Sequence, residues 1–304
     1  MSAASGRGTA WSAAALLVAS CLLFSLVGVL VKLLSSTYSS GELVFYRSLV
    51  GMVCMVAYAR WMGIGLATPV PGLHVRRCVA GVLALSAWFH SMGGLPLATA
   101  MTLNATSSLW MAAFFGAGAL LGRGGVERRL VWAVLAGFVG VAAVLQPTIR
   151  QDQWLHGLIG LGSGMLAAVA YVQLIALARA GEPEERAVFY FCIGGMLAGA
   201  GLTLASGGPN GHTASGLALL LLNGLLATVA QWMMTRAFSI GRPLANATLQ
   251  YAGIVFSFLL GVWIFDDPVT PLAVGGMILI VAAGIVVTGL RQKRQEDTAH
   301  PGDT

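Results

Sequence analysis

Two apolar runs near the C-terminal end of the chain, Leu244–Phe265 and Leu272–Leu290, are interrupted only by DDPVTP. Each is about 20 residues long, enough for a helix to cross a ~30 Å hydrocarbon layer. Lipid offers backbone N–H and C=O groups no partner, so a segment placed there must satisfy its own hydrogen bonds, as a helix does. An earlier stretch, Leu95–Pro147, repeats the plan: PLATAMTLN opens a long apolar run, a short polar break follows, and a Gly-rich run closes it. Pro96-Leu97-Ala98 and Pro243-Leu244-Ala245 begin the two copies. The same membrane hairpin occurring twice is the pattern of a duplicated transporter.

Composition agrees. Of 304 residues, 57% are hydrophobic and 9% are charged, whereas a soluble domain carries about 25% charged residues. The 40 glycines suit helices whose backbones approach closely in a bilayer. A formal charge of +6 does not imply nucleic acid, because the cations are scattered through short loops rather than gathered on one face. Cys21, Cys54, Cys78 and Cys192 lie in or beside apolar runs without CxxC spacing, so neither a disulfide framework nor a zinc site is indicated. Val18-Ala19-Ser20-Cys21 has the look of a lipoprotein cleavage box. The apolar run continues well past Cys21, as a spanning helix does and a cleaved signal does not.

Ten spans are expected, at about 11–34, 41–59, 78–94, 97–121, 130–146, 155–178, 187–205, 215–234, 244–265 and 272–290. The third and fourth are separated only by Gly94-Leu95-Pro96, the weakest point of the count. With ten spans, Arg7, Arg60, Arg76, Arg77, Arg123, Arg128 and Arg129 share one membrane face. Arg179, Arg186, Arg236, Arg242, Arg291, Lys293 and Arg294 join them; only Arg150 lies in an opposite loop, and Lys32 and Arg47 fall within spans. By the positive-inside rule both termini are cytoplasmic, in an inner (cytoplasmic) membrane. Five spans per half is an odd number, so the second half enters the membrane upside down. The expected fold is an all-α polytopic membrane protein of two inverted five-helix repeats, residues 11–147 and 155–290, followed by a cytoplasmic tail, 291–304. A substrate site is expected near the midplane where the halves meet.

The chain resembles an EamA-type member of the drug/metabolite transporter superfamily. The resemblance covers nearly every span. It rests on Glu42-Leu43-Val44-Phe45-Tyr46-Arg47 opening the second span, on Trp88-Phe89-His90 followed by Leu95-Pro96-Leu97-Ala98-Thr99-Ala100, and on Ile264-Phe265-Asp266-Asp267-Pro268 before a Gly-rich last span. Each motif alone is weak, being mostly apolar; ten helices, an inverted duplication and all three motifs in order are together fairly specific. The resemblance implies export or uptake of small metabolites with no metal or organic cofactor. The wording of spans three, four and nine is closest to members linked to S-adenosylmethionine exchange or amino-acid export. Family hairpins often carry a glutamate after spans four and nine; here Asp267 stands in the second copy and Arg123 in the first.

Polar side chains inside hydrocarbon are costly and face the protein interior. The ninth span carries Asn246, Gln250, Gly253 and Ser257 on one narrow face, and the fourth carries Asn104 with Ser107 and Ser108. The eighth has Asn223 and Gln231, the third Ser86 and His90, and the first Cys21, Ser25, Gly28 and Lys32. The plain alternative is helix–helix hydrogen bonds worth ~0.6 kcal/mol each. For spans four and nine together a cavity is preferred, since their amides fall in matching parts of the two copies. The candidate substrate ligands are therefore Asn104, Ser108, Asn246, Gln250 and Gln231. Trp88, Tyr171 and Tyr251 are candidate aromatic walls, with Trp110 and Trp232 as further ones; the alternatives are core packing or interface anchoring. Adjacent helix positions diverge by about 100°, so Gln231 and Trp232, or Gln250 and Tyr251, cannot both face inward.

Arg47 could meet a substrate carboxylate or phosphate or gate the pathway, but snorkelling to headgroups is the favoured reading, as for Lys32. His90 could couple transport to protons, though a plain hydrogen-bonded histidine is commoner. No Asp or Glu falls mid-span, which favours exchange or facilitated diffusion over a carboxylate relay. An enzyme would need a convergent catalytic set, and no HExxH, GxSxG or phosphate loop occurs. A non-transporting receptor or scaffold would have a dry, sealed centre. The expected partners are a small-molecule substrate and membrane lipid, with no nucleic acid and with a homodimer left open.

Overall fold

The computed structural model describes residues 2–111, 113–114, 128–148, 153–241, 246 and 249–299. Ten α-helices follow in order: α1 Ser2–Leu34, α2 Ser40–Met62, α3 Pro71–Gly94, α4 Leu97–Ala105, α5 Arg128–Thr148, α6 Trp154–Arg179, α7 Glu184–Ala205, α8 Ala214–Ile240, α9 Ala252–Phe265 and α10 Pro271–Ala299. A short helical stretch, 107–111, continues from α4. Among the described residues there is no strand. Arg123, Arg150, the end of the fourth expected span and Pro243-Leu244-Ala245 lie outside the described residues.

Local chemistry sets the helix ends. Ser39 accepts from the Glu42 N–H at 3.2 Å while the Glu42 carboxylate accepts from the Ser39 N–H at 2.9 Å, a reciprocal capping box that starts α2. Gly63, at φ 68°, closes the same helix in the left-handed region that glycine adopts without strain. Pro71 and Pro271 stand at the first positions of α3 and α10, where a missing N–H costs nothing. The Gly94-Leu95-Pro96 break does separate two helices.

Two boundaries differ from the sequence reading. The third helix starts at Pro71, so Arg76 and Arg77 are helical rather than loop residues. The fourth and ninth spans are not continuous: helix is interrupted at Thr106 and again at Gln250–Tyr251. Hydropathy sees neither, because it averages over a whole window.

The largest helix interfaces pair α3 with α6, α2 with α7, α5 with α10 and α1 with α8. Exchanging each helix for the one five places along the chain maps this set onto itself. Several smaller pairs obey the same exchange: α1–α9 answers α4–α6, and α2–α8 answers α3–α7.

Small residues bring α2 and α7 to backbone contact. A Cβ on Gly41 would lie 2.6 Å from the Thr203 nitrogen, and one on Gly199 would lie 2.5 Å from the Phe45 nitrogen. Gly195 faces Ser48, and Gly51 faces Cys192. Numbers rise along one helix as they fall along the other, so the two run antiparallel.

The outer surface is apolar. Val75, Val79 and Leu83 form an exposed stripe on α3, and Val255, Leu259, Val262 and Trp263 are exposed on α9. Such a surface is stable in lipid and aggregates in water. Among the described residues, α1, α2, α6, α7 and α8 are long and apolar enough to cross a membrane. The chain is a multi-pass membrane protein.

Candidate functional site at the two helix breaks

The interruptions in the fourth and ninth spans are built alike. At the first, the Thr106 N–H reaches back only to the Leu103 carbonyl, at 3.3 Å. At the second, the Gly253 and Ile254 N–H groups bond the Gln250 and Tyr251 carbonyls at 3.0 Å. Both are three-residue steps, tighter than the α-helical four, and such a step inside a helix often marks a functional hinge.

Each break is covered by the first helix of the opposite half. On α6, Ser163 accepts from Asn104 Nδ2 at 3.2 Å. A Cβ on the neighbouring Gly164 would come 2.5 Å from the Leu103 carbonyl oxygen, so only glycine lets α6 approach that turn. On α1, Cys21 Sγ lies 3.9 and 3.8 Å from the Leu249 and Gln250 carbonyls. Ser25 donates to the Gly253 carbonyl at 3.3 Å and accepts from Ser257 at 2.9 Å.

Between the breaks lies a cavity with about 860 Å³ of atom-free space, counting what opens to solvent. Asn104 and Ser107 reach it from the first break and Gln250 and Gly253 from the second. Trp88 of α3, Tyr171 of α6 and Gln231 of α8 also line it, together with Arg47 of α2. Of the residues singled out in the sequence, Asn104, Gln250, Gln231, Trp88, Tyr171 and Arg47 thus share one chamber. Trp88 meets Phe24 edge-on at 6.1 Å between ring centroids, and Tyr171 stacks on Phe238 at 5.5 Å.

Four others do not line it. Asn246 is buried and donates to the Ala237 carbonyl at 2.6 Å, fastening the chain to the end of α8. Ser108 and Tyr251 hydrogen-bond each other in the core. His90 is exposed and stacks on His156 at 4.9 Å, outside the cavity wall. In each adjacent pair one member faces inward. Gln231 lines the cavity while Trp232 Nε1 donates to Glu185 at 3.2 Å, and Gln250 lines it while Tyr251 turns to Ser108.

Lys32 and Arg47 both find partners within the protein. Lys32 pairs with Asp267 at 2.7 Å and lies over the Phe265 ring. Asp267 also accepts from the Leu97 N–H at 2.8 Å, placing its charge at the positive end of α4. Arg47 is 3% exposed, and its Nη2 donates to Gln231 Oε1 at 3.3 Å.

Sequence reading missed Arg77 altogether. Its position between two apolar runs reads as a loop, yet it is 4% exposed on α3 and lines the cavity. Phe191 of α7, also on the cavity wall, carries no mark in the sequence. Its role is visible only because the Arg47 and Arg77 guanidinium carbons lie 5.4 and 4.6 Å from its ring centroid.

At each end of the bundle a polar cluster ties the halves together. Lys32, Asp267 and Leu97 form one, beside Glu42, which accepts from the Asn210 N–H and Nδ2 at 2.8 and 2.7 Å. At the opposite end His74 meets Glu182 at 3.0 Å, both side chains being 2% exposed, and Arg186 joins Glu182 at 3.3 Å.

No family model matches the chain. It is 32% identical over 267 residues to the pseudopaline exporter of Pseudomonas aeruginosa, across 87% of this chain and 92% of that protein. It is 30% identical over 223 residues to a riboflavin transporter of Rhizobium johnstonii, across 71% of this chain and 70% of that one. An S-adenosylmethionine uptake transporter of Rickettsia bellii is 21% identical over 85% of this chain and 87% of its own length. A solved crystal structure superposes with a TM-score of 0.66 at 19% identity, covering 93% of this chain and 99% of that one; it shares the fold.

Proposed function

Since this chain belongs to the EamA-type transporters of the drug/metabolite transporter superfamily, we propose that it moves a small polar or amphipathic metabolite, amino-acid-like or nucleoside-like, across a bacterial inner membrane by alternating access. The observation that carries this reading is the central cavity enclosed by two interrupted helices, each covered by the opposite half of the chain. Ten inverted spans, with both termini cytoplasmic, explain why helix pairs exchange on a shift of five. The breaks then sit near the midplane, where transporters of inverted repeats bind substrate.

Asn104, Gln231 and Gln250 supply donors and acceptors to the substrate, and Trp88 and Tyr171 supply flat apolar walls. The clusters around Lys32–Asp267 and around His74–Glu182 are the two gates, opening in alternation. Asn246, Ser108, Tyr251 and His90 have structural roles in this reading. Because relatives of this chain are named as an exporter and as uptake transporters, direction is left to experiment. Purified protein in liposomes preloaded with amino acids, nucleosides or flavins is assayed for counterflow of the labelled compound, with and without a pH gradient. Saturable counterflow of at least one class, lost with Gln250→Ala, supports the proposal. A sealed protein that exchanges none of them refutes it in favour of a receptor or scaffold.

A further inference from the structure

Arg47 and Arg77 form a pair that nothing in the transport reading uses. They come from different helices, α2 and α3, yet their guanidinium groups lie over the same Phe191 ring. Both are almost wholly buried, and both line the central cavity. Arg47 Nε and Arg77 Nη1 have no hydrogen-bond partner. The neutral Gln231 amide is the one side chain bonded to Arg47 among the described residues, and neither arginine has a carboxylate there. Five of the described acids are instead engaged at the two ends of the bundle: Glu42 and Asp267 at one, Glu182, Glu184 and Glu185 at the other.

Two buried cations without a counter-ion are expensive, since each has lost water and gained no partner. They also repel one another. Such an arrangement persists where an anion arrives to complete it, and guanidinium forks match carboxylate and phosphate oxygens in pairs. Phe191 meets both guanidinium groups from one side through cation–π contact; Arg47 Nε and Arg77 Nη1 are themselves shielded, the latter against Gly81, so the forks turn to present them to an incoming oxygen. Trp88 Nε1, also buried and unpartnered on the cavity wall, adds a third donor beside a flat apolar face. We propose that the cavity takes an anionic substrate, a carboxylate or phosphate oxyanion on a planar apolar body, with Arg47 and Arg77 jointly binding the charge. This rests on the transporter reading for its site but tests a separate property of it.

The test uses the full chain purified in detergent and titrated calorimetrically with indole-3-acetate, phenyl phosphate and the neutral indole-3-acetamide. The wild type is expected to bind at least one of the anions at least tenfold more tightly than the amide. Arg47→Gln and Arg77→Leu each remove that preference. Their thermal midpoints without ligand stay level or rise, because an uncompensated charge has been removed; an arginine that served only to brace the fold would lower them. Equal binding of acid and amide, or binding of none of the three, overturns the anion site. Counterflow of the same compounds separates the two proposals. Anion binding without counterflow sinks transport and leaves the site, while counterflow of the anions undiminished in both arginine variants leaves transport and sinks the site.

Discussion

Two amides on the same expected helix face have come apart in the fold. Gln250 lines the cavity, whereas Asn246 is spent on the Ala237 carbonyl. Their substitutions should therefore differ in kind. Gln250→Ala is expected to lower counterflow at least tenfold with normal membrane insertion and an unchanged thermal midpoint. Asn246→Ala removes one of the two donors to the Ala237 carbonyl, which keeps the Gly241 N–H at 2.9 Å, and should cost about 0.5–1.5 kcal/mol of stability. Its midpoint should fall, while the apparent affinity of the protein that remains folded stays as it was. Equal loss of affinity in both variants would return Asn246 to the site. The sequence could not separate the two: the Gln250 N–H still bonds the Asn246 carbonyl at 3.1 Å as in a helix, and only the approach of the end of α8 to Asn246 decides that its amide is consumed.

At the scale of elements, the α2–α7 interface depends on absent side chains. Gly199 has the Phe45 backbone where a Cβ would stand, and a backbone cannot rotate away as a side chain can. Gly199→Leu is expected to separate the two helices and to abolish the monodisperse peak in detergent chromatography. Gly162→Leu, on α6 with open space at its Cβ position, should leave that peak intact. The hairpin before α10 is held differently. Asp267 joins Lys32 of α1 and the first N–H of α4. Asp267→Asn keeps the shape but removes the charge, and should cost about 1–2 kcal/mol, most of it from the charge-assisted hydrogen bond. A midpoint shift that vanishes in high salt would assign the effect to the exposed part of the pair. The glutamate expected of family hairpins thus has an aspartate answering for it in the second copy, with a partner in the first half.

At the scale of the molecule, alternating access requires the two ends to part in turn. A Lys32→Cys, Asp267→Cys double variant puts one thiol on each side of the ion pair that now closes one end. Bridging them with a reducible bis-methanethiosulfonate cross-linker, which spans the length lost with the lysine side chain, should stop counterflow, and reductant should restore it; undiminished counterflow in the cross-linked protein would show that this end does not open. The proposed inverted repeat makes a further demand on orientation. A C-terminal fluorescent-protein fusion should glow and an alkaline-phosphatase fusion at the same point should be inactive, with the same outcome at the N-terminus. Opposite outcomes at the two ends would break the ten-span arrangement.

The class of fold was open to reading before any coordinates, because a bilayer leaves a chain of repeated apolar runs only one way to satisfy its backbone. Helix positions were likewise accessible, since ends are written locally in Ser39, Gly63, Pro71 and Pro271. Amides in spans four, eight and nine pointed to a polar interior, and Asn104, Gln231 and Gln250 do meet there. What the tertiary structure alone decided was which polar groups are free. Asn246, Ser108, Tyr251 and Lys32 are consumed by partners far away in sequence, whereas Arg77, read as a loop cation, stands beside Arg47 over a phenylalanine from a third helix. Whether a buried polar atom has a partner depends on distances between helices, and no local pattern encodes those distances.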